Sequence, residues 1–348
     1  MVSGKLAIEA SIKAEAKRLG FALCGISSPE SPEGFSRFSA WLDKDMYGEM
    51  RYLVRSDTLA KRENPALLLE HCKSVICVAL PYPSPFSSGN IAAFARVPDY
   101  HAVVREKLVQ LAGFIKRALG KDPGMYIAVD SSPVLEKSLA VQAGLGLLGK
   151  NTLLINEHYG SWLFLGELFL DIELEPDMPL EGDFCGDCTL CVDACPTGAL
   201  FGDKTMDASK CISYLTIEYR GEIPEPIRER MSGQVIGCDI CQVICPMNQD
   251  AKSPDLGFEL PKVLPANLDL PACLALDEVG YKALFGNTSV MRLKYKSFRR
   301  NVILAMAHFA SQENLQLLQT AMVNEKDPIC RNALHWAIET IRQALSEK

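Results

Sequence analysis

Eight of the chain's thirteen cysteines fall into one stretch with a fixed rhythm: Cys185-x2-Cys188-x2-Cys191-x3-Cys195-Pro196, then Cys211, then Cys238-x2-Cys241-x3-Cys245-Pro246. That rhythm is the ligand pattern of two iron–sulfur clusters of the bacterial ferredoxin kind. Three closely spaced thiolates hold three corners of one cube, and the cysteine before proline crosses to the other cube. The crossed rule assigns Cys185, Cys188, Cys191 and Cys245 to cluster one. Cluster two takes Cys195, Cys211, Cys238 and Cys241, with Cys211 recruited because the second half has only two cysteines at x2 spacing. Structural zinc and disulfides are the other chemistries open to such a set, but neither requires a doubled Cys-Pro ending. The stretch therefore reads as a ferredoxin-like domain with two [4Fe-4S] clusters lying close together. Cys24, Cys72, Cys77, Cys273 and Cys330 stand among apolar neighbours, where a free cysteine behaves as a small core residue.

At 348 residues the chain exceeds one ordinary hydrophobic core, so several domains are expected. The start has no uninterrupted apolar core of signal-peptide type, and the most apolar later stretch, residues 153–172, is broken by Glu157, His158, Glu167 and Asp171. A cytoplasmic protein with no membrane partner is expected, and a reducing compartment suits thirteen cysteines without a disulfide framework. The net charge of −7 argues mildly against a nucleic-acid partner, but a sum over the chain hides local patches.

Up to about residue 175, helical periodicity alternates with short strand-like runs, the pattern of an α/β domain with a largely buried sheet. The periodicity predicts helices over Ile8–Leu19, Phe35–Asp43, Tyr100–Leu119 and Val134–Ala143. Strands are predicted over Phe21–Ile26, Val75–Leu80, Tyr126–Val129, Thr152–Ile155 and Trp162–Leu168. Pro81-Tyr82-Pro83-Ser84-Pro85 cannot continue a strand and reads as a loop. Linkers are expected near Pro176–Pro179 and through Pro254, Pro261, Pro265 and Pro271. The division is 1–178, an α/β amino-terminal domain; 179–255, the ferredoxin-like domain; and 256–348, a short all-helical tail of paired amphipathic helices resembling HEAT units. Ahead of the tail's longest apolar run lie Arg292, Lys294, Lys296, Arg299 and Arg300, without an acid among them. They read equally as a solvated helix face or as a strip that contacts phosphates.

Gly144-Leu-Gly146-Leu-Leu-Gly149-Lys150 satisfies the dinucleotide fingerprint and most of a phosphate loop, but both motifs follow a strand and open a helix. Here a predicted helix comes first and a predicted strand second, so the glycines mark a helix cap and either a tight turn or a close approach to something bulky. Asp130 ends a strand and precedes Ser131-Ser132-Pro133, where Ser132 can cap a helix that Pro133 opens. In open α/β sheets that edge binds ligands, which makes Asp130 a candidate acid or base as well as a turn anchor. Asp99-Tyr100-His101 is either a second site cluster or a polar helix start.

Taken in order, Asp99-Tyr100-His101, Val129-Asp130-Ser131-Ser132-Pro133-Val134-Leu135-Glu136, the Gly144–Lys150 loop, Lys210-Cys211-Ile212-Ser213-Tyr214-Leu215-Thr216 and Gly237-Cys238-Asp239-Ile240-Cys241-Gln242 resemble the epoxyqueuosine reductase family over nearly the whole chain. The resemblance implies a cobalamin-dependent oxidoreductase that removes the epoxide oxygen from the modified wobble base of tRNAs with GUN anticodons, giving queuosine and water. Electrons would come from a small redox protein through the two clusters, and the enzyme would be a monomer. Asp130 matches the family's proton donor. To hold a proton near neutral pH its carboxyl would need a setting unfavourable to the anion. By the same resemblance Asp130, Gly146, Gly149, Lys150, Ser213 and Tyr214 would face the corrin, and Arg292, Lys294, Lys296, Arg299 and Arg300 the tRNA. A reductive dehalogenase sharing the cofactors, and an electron-transfer ferredoxin fused to a scaffold, are the competing readings. The second leaves the amino-terminal domain unexplained.

Overall fold

The computed structural model describes residues 2–83, 89–249, 251, 260–261 and 263–347, with side chains from residue 8 onward. Ser84 and Pro85 of the expected loop and Pro254 of the expected linker lie outside the described residues. The amino-terminal half is mixed α/β. Its strands are β1 (Leu23–Ser27), β2 (Ser74–Pro81), β3 (Met125–Ala128), the two-residue β4 (Leu147–Leu148) and β5 (Leu154–Ile155), and β6 (Leu163–Leu170). The main sheet has the order β1-β2-β6-β3, and β4 pairs with β5 alone.

Each neighbouring pair in the main sheet is antiparallel, so the edge rule drawn from parallel sheets does not govern the position of Asp130. The burial expected of the sheet is nonetheless present. Strand β2 is apolar on both sides because both faces are covered. Val75, Cys77 and Ala79 meet Leu139 and Ala140 of the helix Glu136–Gln142 and its C-cap Ala143. Ile76, Val78 and Leu80 meet Ile12 and Ala16 of the helix Val2–Arg18 and Leu108, Leu111 and Ile115 of the helix Tyr100–Leu119. That last helix matches its predicted bounds because both ends are written locally: the Asp99 carboxylate accepts the His101 N–H at its start, and Gly120 ends it at φ 63°.

Two expectations shift. The helix after Asp130 begins at Glu136 with Leu135 at its N-cap, not with a Ser132 cap, because the Ser132 hydroxyl pairs with the Tyr126 hydroxyl at 3.1 Å instead. Residues 129–135 are thereby left as a loop. Pro271, expected in a linker, occupies the first turn of the helix Leu270–Ala275, where its missing N–H costs nothing.

The carboxy-terminal part is helical: Leu270–Ala275, Glu278–Phe285, Tyr295–His308, Gln312–Asn324 and Pro328–Ser346. Asp269, Asp277, Ser311 and Asp327 cap four of these with side-chain oxygens. Phe298, Val302, Leu318, Leu334 and Ile338 from the tail share one core with Ile212 and Leu215 from the cysteine-rich segment and Ile91 and Ala95 from the amino-terminal half. An isolated bridge between Ile91 and Ile236 fastens the same junction. Among the described residues, no helix is long and apolar enough to cross a membrane.

Candidate active site

The cysteines hang on two short helices, Leu190–Asp193 and Ile240–Val243, each followed by a Cys-Pro step. Cys185, Cys188, Cys191 and Cys245 line one cavity together with Phe184, Leu190 and Met247. Burial raises the Cys191 thiol above its ordinary value, and Cys185, Cys245 and Cys188 push the same way, which puts these four sulfurs in mutual reach. Burial also raises Cys241 well above its ordinary value, reinforced by Cys238, Cys211, Cys191 and Cys195, and pushes Cys238 up to about 12, reinforced by Cys211 and Cys195. The thiols thus gather in the two crossed sets. Among the described residues, no three such side chains close round a single metal ion. Four thiols lining one cavity, in the doubled Cys-Pro spacing, are a donor set that fits an iron–sulfur cluster. Backbone N–H groups of Lys150 and Ala199 donate to Cys185 Sγ and Cys195 Sγ, each at 3.3 Å.

Asp130 lies on the loop after β3 with φ 52°, a left-handed conformation that a residue with a Cβ adopts only where its surroundings hold it. His101 bridges two carboxylates: Nδ1 lies 2.7 Å from Asp99 Oδ1, and Nε2 lies 3.0 Å from Asp130 Oδ2. Arg292 donates from Nη1 to the same Asp130 oxygen at 3.2 Å and from Nε to Glu218 at 2.7 Å. The Tyr100 ring stacks between His101 and Phe164.

Burial pushes the Asp130 carboxyl up, but His101, Arg292 and Tyr100 outweigh it and leave the group below the ordinary carboxylate value. The neighbours of Asp130 are donors, and they favour its anion. Burial pulls His101 down, but Asp130 and Asp99 raise it above 6.5 on balance. Both contacts favour the imidazolium beside a carboxylate. Behind it, burial and the Asp130 charge push Glu136 up to about 8, and burial raises Glu167 well above the ordinary carboxyl value.

Two cavities meet at Asp130, and Met50 and Tyr52 line both. The smaller, about 220 Å³, is closed by His101, Glu218 and Arg292. The larger is an open cleft of about 410 Å³ with Phe38, Trp41, Leu135 and Leu148 on its walls, and Met206 and Ala208 from the segment leading into Cys211.

The other residues expected to face a corrin do not reach this cleft. A Cβ on Gly146 would stand 2.3 Å from the Ile155 carbonyl oxygen and one on Gly149 2.4 Å from Ile155 Cδ1, so both glycines serve the close packing of the β4–β5 hairpin. Lys150 turns to the cluster-one loop, its Nζ donating to the carbonyls of Gly186 at 2.7 Å and Cys188 at 3.1 Å. Tyr214 is buried, and its hydroxyl accepts the Glu49 N–H at 2.7 Å; Ser213, its half-buried neighbour, lines neither cavity. The hairpin instead presents Leu148 and Thr152 to the cleft.

The basic strip is not one face either. Lys294 is exposed, and Lys296 is exposed and paired with Asp327 at 2.9 Å. Arg299 is bound to Glu325 at 2.6 Å, and Arg292 points to Asp130. Arg300 is 1% exposed and donates to the carbonyls of Leu215, Tyr219 and Gly221, so it cannot contact a phosphate. Sequence reasoning did not single out Glu136, Glu167 or Tyr52. Glu167 carried a signal, since it is the one charge inside the apolar run of β6.

Crossed thiol sets beside a cleft that ends in an acid–imidazole pair define an iron–sulfur oxidoreductase. Residues 184–248 match the family model described as "4Fe-4S double cluster binding domain", and residues 62–131 match "Epoxyqueuosine reductase QueG, DUF1730". The chain is 38% identical over 309 residues to the epoxyqueuosine reductase of Cyclobacterium marinum, covering 87% of this chain and 96% of that one. A Bacillus subtilis epoxyqueuosine reductase structure with its catalytic aspartate loop swung out of the active site superposes with a TM-score of 0.84 at 30% identity, covering 99% of this chain and 95% of the other. A crystal structure of epoxyqueuosine reductase with an epoxyqueuosine-modified tRNA-Tyr stem loop superposes with a TM-score of 0.81 at 29% identity, covering 97% and 99%. The chain belongs to the epoxyqueuosine reductase family.

Proposed function

We propose that this protein reduces epoxyqueuosine to queuosine at the wobble position of tRNAs with GUN anticodons, and that Asp130 hands over the proton that releases the epoxide oxygen. The observation that carries this reading is the position of Asp130 between two cavities, one against the cluster-two segment and one closed by His101 and Arg292. Loss of one oxygen as water takes two electrons and two protons. The electrons enter through cluster one (Cys185, Cys188, Cys191, Cys245) and pass to cluster two (Cys195, Cys211, Cys238, Cys241). The open cleft suits the apolar face of a cobalamin ring: Phe38, Trp41 and Leu148 offer flat and aliphatic surface, and Ala208 brings the cluster-two loop to its edge. When bound there, the corrinoid would supply a metal centre that collects electrons one at a time and acts on carbon as a pair.

The chain's own residues manage the first proton, and the second, which completes the water, comes from solvent. The Asp130 carboxylate, anionic at rest, accepts it from the His101 imidazolium at 3.0 Å and passes it to the departing oxygen, while Asp99 holds the imidazole by its other nitrogen. Arg292 steadies the anion left between transfers. The division of labour follows 1–178 for catalysis, 179–255 for electron transfer and 256–348 for RNA contact. Exposed Lys294 and Lys296 are the residues placed to meet phosphates, with an anticodon stem loop as the RNA and a small redox protein in the cytoplasm as the electron source. The protein would act as a monomer.

The test is an anaerobic incubation of cluster-loaded protein with cobalamin, a strong reductant and tRNA carrying epoxyqueuosine, followed by mass analysis of the nucleosides. Queuosine formed only in the presence of cobalamin is the expected result. Unchanged epoxyqueuosine with all cofactors loaded would refute the reading.

A further inference from the structure

The turn that joins β4 to β5 is built at a cost. Thr152 sits at φ 65°, where a β-branched residue is a clear outlier, and its N–H closes the turn on the Gly149 carbonyl at 2.9 Å. Strain of this kind persists only where the surroundings impose it, and it gathers at functional sites. The turn presents Lys150 and Asn151, and both line the cavity shared by Cys185, Cys188, Cys191 and Cys245.

Lys150 brings its donors to the cluster-one thiols and their loop. Its backbone N–H meets Cys185 Sγ at 3.3 Å, and its ammonium holds the Gly186 and Cys188 carbonyls at 2.7 and 3.1 Å. Asn151 adds an independent sign. It is 4% exposed, and its Nδ2 is enclosed without an acceptor. Turning the amide over would not relieve it, because Oδ1 already accepts the Leu153 N–H at 3.2 Å. A buried donor left unpaired is costly and rare. The other side chains of the cavity, Ile155, Phe184, Leu190, Pro246 and Met247, are apolar, so the sulfurs are the acceptors that this wall offers.

We propose that the Lys150–Asn151 turn sets the reduction potential of cluster one, with Asn151 Nδ2 donating to a sulfur of that cluster beside the Lys150 N–H and the Lys150 charge. The proposal rests on the two-cluster reading given under the proposed function and extends it to the control of electron entry. Each added electron makes the sulfurs more negative, so donors and a nearby cation favour the reduced state and raise the potential. No bond to iron is made or broken in that adjustment. Because the turn lies against the first thiol set, its effect falls chiefly on one of the two clusters.

The experiment is a potentiometric titration of the cluster-loaded protein with dithionite, followed by electron paramagnetic resonance. Asn151→Leu keeps the approximate volume and removes the amide, and Lys150→Met removes the charge while keeping the backbone N–H. Each variant should make the same single reduction wave harder to fill, by roughly tenfold in the reduction equilibrium for one hydrogen bond to a charged group, which is about 59 mV for a one-electron couple. The other wave should move far less. A second reading needs no variant to fold. Wild-type protein carrying asparagine labelled with nitrogen-15 at the side-chain amide should show, in pulsed resonance of the reduced clusters, a nitrogen coupled to the electron spin. Potentials that stay in place in both variants, two waves that shift together, or a labelled protein with no coupled nitrogen would overturn the proposal. Shifted potentials in a protein that leaves epoxyqueuosine unchanged would keep the role of the turn and reject the substrate.

Discussion

At Asp130 one carboxylate oxygen takes two charge-assisted contacts, from His101 at 3.0 Å and Arg292 at 3.2 Å, and these decide where the site's proton rests. The His101 value is raised above 6.5, so its ion pair stabilises the folded protein fully below 6.5 and loses that contribution as pH rises through the raised value. The Asp130 value is lowered below 3.8, so its contribution is present above 3.8 and is lost as pH falls through the lowered value. The triad is fully formed only between these limits. Turnover should accordingly fall on the alkaline side of His101's raised value, because the imidazolium is then no longer available. His101→Gln should reduce kcat by roughly 10²–10⁴-fold and remove that limb of the pH profile. An unchanged limb in His101→Gln would assign the proton elsewhere. Asp130→Asn, which cannot carry the proton onward, should lose turnover by a comparable factor while still binding tRNA.

The β4–β5 hairpin separates what a motif resembles from what its residues do. Its glycines satisfied phosphate-binding patterns, yet Gly146 faces the Ile155 carbonyl of its own partner strand at a distance no Cβ tolerates. Gly146→Ala should lower stability by roughly 1–3 kcal/mol, seen as an earlier thermal transition, while the cobalamin affinity of the folded fraction is unchanged. A selective loss of cobalamin affinity would return the loop to the cofactor site. The cluster ligands and the helix Tyr100–Leu119 were legible because their information is local: cysteine spacing fixes a cluster's reach, and Asp99 and Gly120 mark the helix ends within the chain itself. The antiparallel sheet was not, since runs such as Val75–Leu80 read the same in either strand direction once both faces are buried. Nor was the site around Asp130, whose loop is shaped by Glu136 and by Arg292, a residue 162 positions away. No periodicity relates those positions.

For the whole molecule, the decisive feature is that the cysteine-rich segment and the helical tail are built round a common core, with Arg300 at the seam. Its guanidinium donates to the carbonyls of Leu215, Tyr219 and Gly221 and to Asn301 Oδ1, while Asn301 in turn donates to the carbonyls of Thr216 and Val235. Burial lowers the Arg300 value to about 10, so the group remains a cation at neutral pH, held by carbonyl oxygens. Replacing it with methionine keeps the volume but leaves several enclosed acceptors without donors, each costing roughly 1–3 kcal/mol. Arg300→Met should therefore melt early and loosen the segment after Cys211, while the salt dependence of RNA binding by the folded protein stays at its wild-type slope. The opposite result is expected for Lys294 and Lys296, whose ammonium groups face solvent from the same nine-residue strip. Their replacement by glutamine should leave the thermal transition near its original temperature and reduce the slope of log K against log salt by about 0.7–0.9 per lysine. Titrating the anticodon stem loop at several salt concentrations separates the two roles. A shallower slope in Arg300→Met, or an unchanged slope in the double lysine variant, would mean that RNA meets this molecule on a different surface.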